Sequence, residues 1–266
     1  MNIQDSTALL ARLGESVPRY TSYPTAPHFA DGQGPQVFSA MIDSLGTEDA
    51  VSVYIHIPFC DRLCWFCGCH TKHTLKYEPV GAYVGHLIAE IALLYRRIGR
   101  RQKLSHLHLG GGSPSLLRPA ELAAIRAALE DAFEILPGAE IAIEIDPSDS
   151  NEAFLEGLRI LGVTRASIGV QDFDPRVQAA INRPQGFEET RDIVKQLRDH
   201  GVQSVNIDAL YGLPLQTLDT LEKTIGQVLE LKPDRVALFG YAHVPWMKKH
   251  QNMIKADDLP GPLERF

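Results

Sequence analysis

From Val51 onward the chain alternates short β-branched runs with longer stretches whose apolar residues recur at helical spacing. That is the pattern of strands joined by helices, the arrangement that builds an α/β fold around a parallel sheet. Strands are predicted at residues 51–57, 104–109, 140–146, 166–171, 204–210 and 235–239, and helices at 80–98, 119–133, 151–161, 187–200 and 217–231. Pro119 stands where a first helical turn tolerates proline, Gly138, Gly162 and Gly201 mark helix ends, and Asp219 falls in an early turn where the helix dipole favours an acid. Residues 1–46 mix proline, glycine and polar residues with short apolar pieces and read as an N-terminal arm, its prolines limiting the helix option around residues 17–25.

The alternation within each strand says more than the strand's existence. Val51, Val53, Ile55 and Ile57 share one face of the first strand, and Ser52, Tyr54 and His56 the other. The split recurs as Leu107 and Leu109 against His106 and His108, and as Ile141, Ile143 and Ile145 against Glu140, Glu144 and Asp146. It continues as Ile168 and Val170 against Ser167, Gly169 and Gln171, then Val205 and Ile207 against Ser204, Asn206 and Asp208. Helices require an apolar outer face, so the polar faces point inward. Closed barrels ordinarily fill that interior with branched apolar side chains; polar residues in strand after strand predict a cavity for a polar ligand instead. An antiparallel sheet with one solvated face would alternate in the same way, but helix-length connections argue against it. The carboxyl ends of the strands, where such folds place their chemistry, carry a cysteine loop, the run Gly110-Gly111-Gly112-Ser113, Glu144, Gln171, Asp208 and Tyr241-Ala242-His243.

A length of 266 residues with 44% hydrophobic content suffices for one α/β barrel or two small domains. The net charge of -7 argues against a general nucleic-acid binder, so an anionic ligand must be met by local arginines. Neither a secretory signal nor a membrane-spanning run is legible, which leads to the expectation of a cytoplasmic protein without a membrane partner.

All four cysteines, Cys60, Cys64, Cys67 and Cys69, fall within ten residues. Thiols so close cannot staple distant segments, and in a reducing compartment such a group more often binds metal. Zinc sites usually draw ligand pairs from separate segments, whereas iron–sulfur clusters accept thiolates from one compact loop, and the C-x3-C-x2-C spacing of Cys60, Cys64 and Cys67 favours a [4Fe–4S] cluster over zinc. Cys69 then reads as a buried small apolar residue rather than a ligand. His56 reads equally as a tuner of the metal site or a hydrogen-bonded core histidine, His106 and His108 read as structural, and Trp65 as a shield of the loop.

C-x3-C-x2-C after a first strand, with Phe66 before the third cysteine and a Gly-Gly-Gly loop after the second strand, resembles the radical S-adenosylmethionine (SAM) superfamily. Residues 18–25 (Pro-Arg-Tyr-Thr-Ser-Tyr-Pro-Thr), 54–60 (Tyr-Ile-His-Ile-Pro-Phe-Cys), the Cys67-Gly68-Cys69 ending, 169–173 and 206–214 narrow the resemblance to the oxygen-independent coproporphyrinogen III oxidase family. Related haem chaperones typically lack the proline-rich arm and the fourth cysteine, both present here.

The resemblance implies an open six-stranded parallel (β/α)6 partial TIM-like barrel over residues 47–245, preceded by the arm and followed by the start of a further region from 246. It implies a cluster on Cys60, Cys64 and Cys67 whose open iron binds SAM. It places Tyr54, Gly111 and Glu144 at that SAM, and Phe66, Gly112, Ser113, Gln171, Arg183, Asp208 and Ala242 around a second SAM. Tyr54, Glu144 and Arg19 are the implied catalytic candidates, Arg19 as a partner for a propionate. Read from the residues alone, Glu144 could be a solvated strand-end carboxylate and Arg183 a surface ion pair, while a buried Asp208 would need a ligand or a salt bridge. The implied partners are coproporphyrinogen III and an unidentified electron donor, met by a monomer. Family chains run on into a helical C-terminal domain, so a shortened version is expected here, with a non-catalytic iron–sulfur or tetrapyrrole-binding protein as the alternative function.

Overall fold

Strands that read apolar on one face and polar on the other line up in a single parallel sheet. The computed structural model describes residues 28–32 and 34–265, so Arg19 and the rest of the 18–25 motif lie outside the described residues. The sheet contains β1 (Ala50–Ile57), β4 (Gln102–Gly111), β5 (Phe133–Ile145), β6 (Arg165–Gln171), β7 (Ser204–Tyr211) and β8 (Arg235–Gly240). They stand in chain order, with β1 and β8 at the two edges, so the sheet is open. Between β1 and β4, β2 (Phe59–Cys60) pairs in parallel with β3 (Lys72–His73) and frames the cysteine loop.

The predicted faces hold. Ile55, Ile57, Leu107, Leu109, Ile143, Ile145, Ile168, Val170, Val205 and Ile207 enter one core with the helices. Each aliphatic side chain so buried contributes about 1.5–3 kcal/mol. α2 (Glu78–Ile98) buries Val80, Val84, Leu87 and Ile91, a spacing of three to four residues that puts them on one face, and ends at Gly99 in the left-handed region at φ 73°. α3 (Pro119–Ala132) sets Leu122, Ile125 and Leu129 against the sheet. In α4 (Glu152–Leu161) Asn151 caps the first turn by accepting from the Phe154 amide at 3.0 Å. α6 (Phe187–Asp199) and α7 (Leu218–Glu230) complete the outer layer.

One local expectation is corrected, and two short helices are added to those expected. Gly138 does not end a helix: the helix stops at Ala132 and β5 begins at once, with Gly138 inside it at φ 79°. Phe133 and Ile135 pair with Gln102 and Leu104, so the strand is seeded before the glycine, and the register against β4 shifts between Leu104 and His106. The arm contains a helix, α1 (Pro35–Asp43), for which Pro35 supplies the first residue. A short helix, α5 (Pro175–Ala180), follows β6 where none was predicted, capped by the Asp174 carboxylate. No helix among the described residues is long and apolar enough to cross a membrane.

Candidate functional site

The cysteine loop leaves β1 through Pro58 and is tied down by two distant segments. The Trp65 amide donates to the Ile181 carbonyl at 2.9 Å, and Asn182 Nδ2 to the Leu63 carbonyl at 2.9 Å. From beyond β8, Gln251 Nε2 donates to the Phe66 carbonyl at 3.0 Å, His250 Nε2 to that of Cys67 at 2.7 Å and Lys248 Nζ to that of Cys69 at 2.9 Å. Trp65 and Phe66 lie against a small apolar cluster of Val177, Ile181, Leu213, Tyr241 and Ile254. Trp65 thus anchors the loop to this cluster.

All four thiols are free. Burial pushes Cys60 up to about 11 and also raises Cys64, the latter against the nearby Arg183 guanidinium, whose Nη1 lies 3.6 Å from Cys64 Sγ. The Cys69 thiol beside Cys67 holds the Cys67 thiolate low and is itself pushed up, and the Cys69 amide also donates to Cys67 Sγ at 3.3 Å. Cys69 is exposed, not the buried apolar residue expected, and it acts as a hydrogen-bonding neighbour of Cys67. Among the described residues no three His, Cys, Asp or Glu side chains converge closely enough to hold a single ion. Three soft donors spread along one rigid loop fit a multi-iron cluster, whose ligands attach at separate corners.

The glycine loop closes over this loop. Gly112 N donates to the Ile57 carbonyl at 2.8 Å and Ser113 N to that of Phe59 at 2.7 Å. A Cβ on Gly112 would meet the Phe59 carbonyl oxygen at 2.5 Å, and one on Gly111, at φ 114°, would enter the His56 ring. Both glycines are required by close approach, and they leave a backbone surface at the strand ends. The Gly111 amide donates to Glu144 Oε2 at 3.0 Å, and His108 Nε2 lies 3.3 Å from Glu144 Oε1. Burial raises the Glu144 carboxyl, but His108 and the Gly111 amide outweigh it and hold the group below its usual range. Glu144 is thus an oriented anion rather than a freely solvated one. Tyr54 stacks on His108, ring centres 5.7 Å apart, and its hydroxyl lies 3.0 Å from His56 Nδ1. His56 Nε2 donates to the His70 carbonyl at 2.8 Å, so both ring nitrogens are engaged and His56 braces the rim.

A cavity of about 770 Å³ lies on the polar face, lined by His108, Glu144, Ser167, Gln171, Asn206 and Asp208 among others. Gln171 has a positive φ of 68°, and the register between β6 and β7 shifts between Gly169 and Gln171, which re-aims that side chain at the strand end. Asp208 accepts from Ser167 Oγ at 3.0 Å and Asn206 Nδ2 at 2.8 Å, and burial raises its pKa in spite of both. The salt bridge considered for it is replaced by this neutral pair. Arg183 is no surface ion pair: it is 8% exposed and bonds Asp146 Oδ2 at 2.8 Å and the Gly169 carbonyl at 2.7 Å. It links the cysteine loop to the ends of β5 and β6. Ser113 is buried, and Ala242 is exposed after β8.

The structure brings Tyr54, Gly111 and Glu144 together at one rim, and Gln171, Asp208 and Arg183 around the adjoining strand ends. Sequence reasoning missed three contributors. Asp146 shares the inward face of Glu144, so its alternation was a usable signal. His108 was read as structural, yet it orients Glu144. Gln251 sits in a segment without periodicity and gave no signal.

Residues 54–228 match the Radical SAM superfamily. The oxygen-independent coproporphyrinogen III oxidase of Paracoccus denitrificans is 48% identical over 260 residues, covering 97% of this chain and 58% of the relative. The same-named protein of Escherichia coli is 40% identical over 259 residues, covering 97% and 56%. A solved structure described as coproporphyrinogen III oxidase from Escherichia coli, a radical SAM enzyme, superposes with a TM-score of 0.88 at 38% identity, over 96% of this chain and 58% of that one. The chain spans somewhat more than half the length of these relatives. With a three-cysteine loop at the head of an open parallel sheet, and the superfamily match running from β1 into α7, this chain belongs to the radical SAM superfamily.

Proposed function

We propose that this chain forms the catalytic barrel of an oxygen-independent coproporphyrinogen III oxidase, which converts two propionate side chains of coproporphyrinogen III to vinyl groups and yields protoporphyrinogen IX. The reading rests on one observation: Arg183 ties the three-thiol loop to the ends of the strands whose polar face, with Glu144, Gln171 and Asp208, lines the cavity, in a chain 48% identical to relatives of that name. Cys60, Cys64 and Cys67 hold a [4Fe–4S] cluster. When bound, cluster and SAM would supply a 5′-deoxyadenosyl radical able to take a hydrogen atom from a propionate, and the electron left when CO2 departs would pass to a one-electron acceptor.

The protein's own residues prepare that chemistry. Glu144, kept ionised by His108 and the Gly111 amide, accepts from the ammonium or ribose hydroxyls of SAM beside Tyr54 and Gly111. Phe66, Gly112, Ser113, Gln171, Arg183, Asp208 and Ala242 surround the second SAM. Asp208, with its raised pKa, receives a hydroxyl or a cation more readily than a second anion. Arg19 of the arm meets a propionate. A low-potential electron donor reduces the cluster, and the chain works as a cytoplasmic monomer with the arm at 1–46 and the barrel at 47–245.

Anaerobic reconstitution with iron and sulfide, followed by assays for 5′-deoxyadenosine and for decarboxylated porphyrin, tests this. Both products are expected. Because the chain spans 58% of the relative's length, a second reading stands beside the first: a cluster-bearing or tetrapyrrole-binding protein without turnover, which a loaded cluster with no 5′-deoxyadenosine would establish in place of the enzyme.

A further inference from the structure

Residues 248–251, beyond Ala242, have no place in the roles above, yet three of them bond the cysteine loop. Gln251 opens a view of why. Its side chain is 1% exposed, and both ends of its amide are engaged by backbone from two distant parts of the chain. Nε2 donates to the carbonyls of Phe66 at 3.0 Å and Ala242 at 3.3 Å, while Oε1 accepts from the Val244 amide at 2.6 Å. His250 and Lys248 take the carbonyls of Cys67 and Cys69. One short stretch therefore holds three carbonyls of the loop that carries the third thiol. It lies past residue 228, where the superfamily match stops.

An apolar residue of the same size could fill this space, but it would leave two carbonyls and an amide without partners in a buried setting. Such groups cost more than a made hydrogen bond returns. A buried glutamine with all its partners on the backbone fixes geometry rather than adding bulk.

We propose that Gln251 is a positioning residue for the cysteine loop: it locks the Phe66–Cys67 peptide to the carboxyl end of β8, so that Cys67 and Ala242 keep one relative placement. The proposal rests on the reading of Cys67 as a cluster ligand. It assigns the segment around residues 248–251 to the site as its rear clamp.

The test uses the full 266-residue chain, both free of metal and anaerobically reconstituted with iron and sulfide. Hydrogen exchange of the metal-free protein reads the clamp directly. In Gln251→Leu the amides of residues 66–69 and 242–244 are expected to exchange roughly tenfold faster or more, the scale of one to two lost net hydrogen bonds, while β5 and β6 keep their protection. In Gln251→Glu, which retains an acceptor for the Val244 amide but offers no donor to the carbonyls, residues 66–69 loosen and 244 does not. After reconstitution, both variants should release iron to a chelator faster than the wild type and give an altered EPR signal from the reduced cluster. Should Gln251→Leu fail to fold, His250→Phe carries the same test through the Cys67 carbonyl, with faster exchange confined to residues 66–69. Unchanged exchange at 66–69 in the folded variants overturns the proposal, as does acceleration spread evenly over the barrel, which would mark a general packing role. Failure of the wild type to take up iron would instead count against the cluster reading, and the exchange result would still decide the role of Gln251.

Discussion

A methyl group at Gly112 would collide with backbone atoms of Phe59, which cannot swing aside as a side chain can. Gly112→Ala is therefore expected to cost about 1–3 kcal/mol in chemical denaturation, the range of overpacked sites, and to weaken SAM binding measured by equilibrium dialysis. Arg183 and Asp146 form a pair with side-chain exposures of 10% and 13%. Removing one partner strands the other, so Arg183→Met should lower stability by about 3–5 kcal/mol, read from urea unfolding of the metal-free chain. The double variant with Asp146→Leu should recover part of that loss, since two apolar residues leave no unpaired charge. Among the cysteines the contrast should be qualitative. Alanine at 60, 64 or 67 should abolish iron loading, whereas Cys69→Ala should retain the cluster's absorption, because Cys69 contacts Cys67 as a neighbour. Spacing alone already set Cys69 apart from the other three, a reading these variants test. The orientation of Glu144 was not legible, since it depends on His108, which pairs with Ala142 and so comes within reach of Glu144 only once β4 and β5 are in register.

Between β6 and α7 the connection runs through Asp172, a fully buried carboxylate that accepts from Gln216 Nε2 at 2.6 Å, the Asp174 amide at 2.6 Å and Thr224 Oγ1 at 3.0 Å. Burial raises its pKa in spite of those donors. The folded state thus holds this proton more tightly than the unfolded chain. The stability it confers is present below the ordinary carboxylate value of about 3.9 and is lost as pH rises through the raised folded-state value. Asp172→Asn should remove that dependence: the stability advantage of wild type over variant, from urea midpoints, is largest at the acid end and declines upward through the window. Elements of this kind were readable in the sequence as far as they alternate. Strand faces and the long helices followed from periodicity, and Asn151 and Gly162 bounded α4 as their chemistry requires. Gly138 misled because a glycine at positive φ serves a strand irregularity as well as a helix end. α5 was hidden because six residues are too few to show a period.

Among the described residues no strand pairs with the outer side of β1 or of β8, and β8 exposes Val236 and Leu238 at 42% and 46%. Unpaired backbone beside exposed apolar residues is a template for strand addition. Association is expected only at concentrations well above those at which the chain works as a monomer, read by sedimentation velocity, and Leu238→Lys should reduce that tendency without changing the far-UV circular dichroism. The order of the strands was predicted by their helical connections, but the segment returning from β8 to the cysteine loop was not, because loops that fold back obey contacts rather than patterns. The same open order also sets what the interior can serve. A closed tube admits only what fits through its mouth, whereas six strands with a missing flank make a trough. A trough can work on a ligand far wider than itself, provided that one thin arm of that ligand reaches in, and it can release the arm and take the next without letting go of the whole.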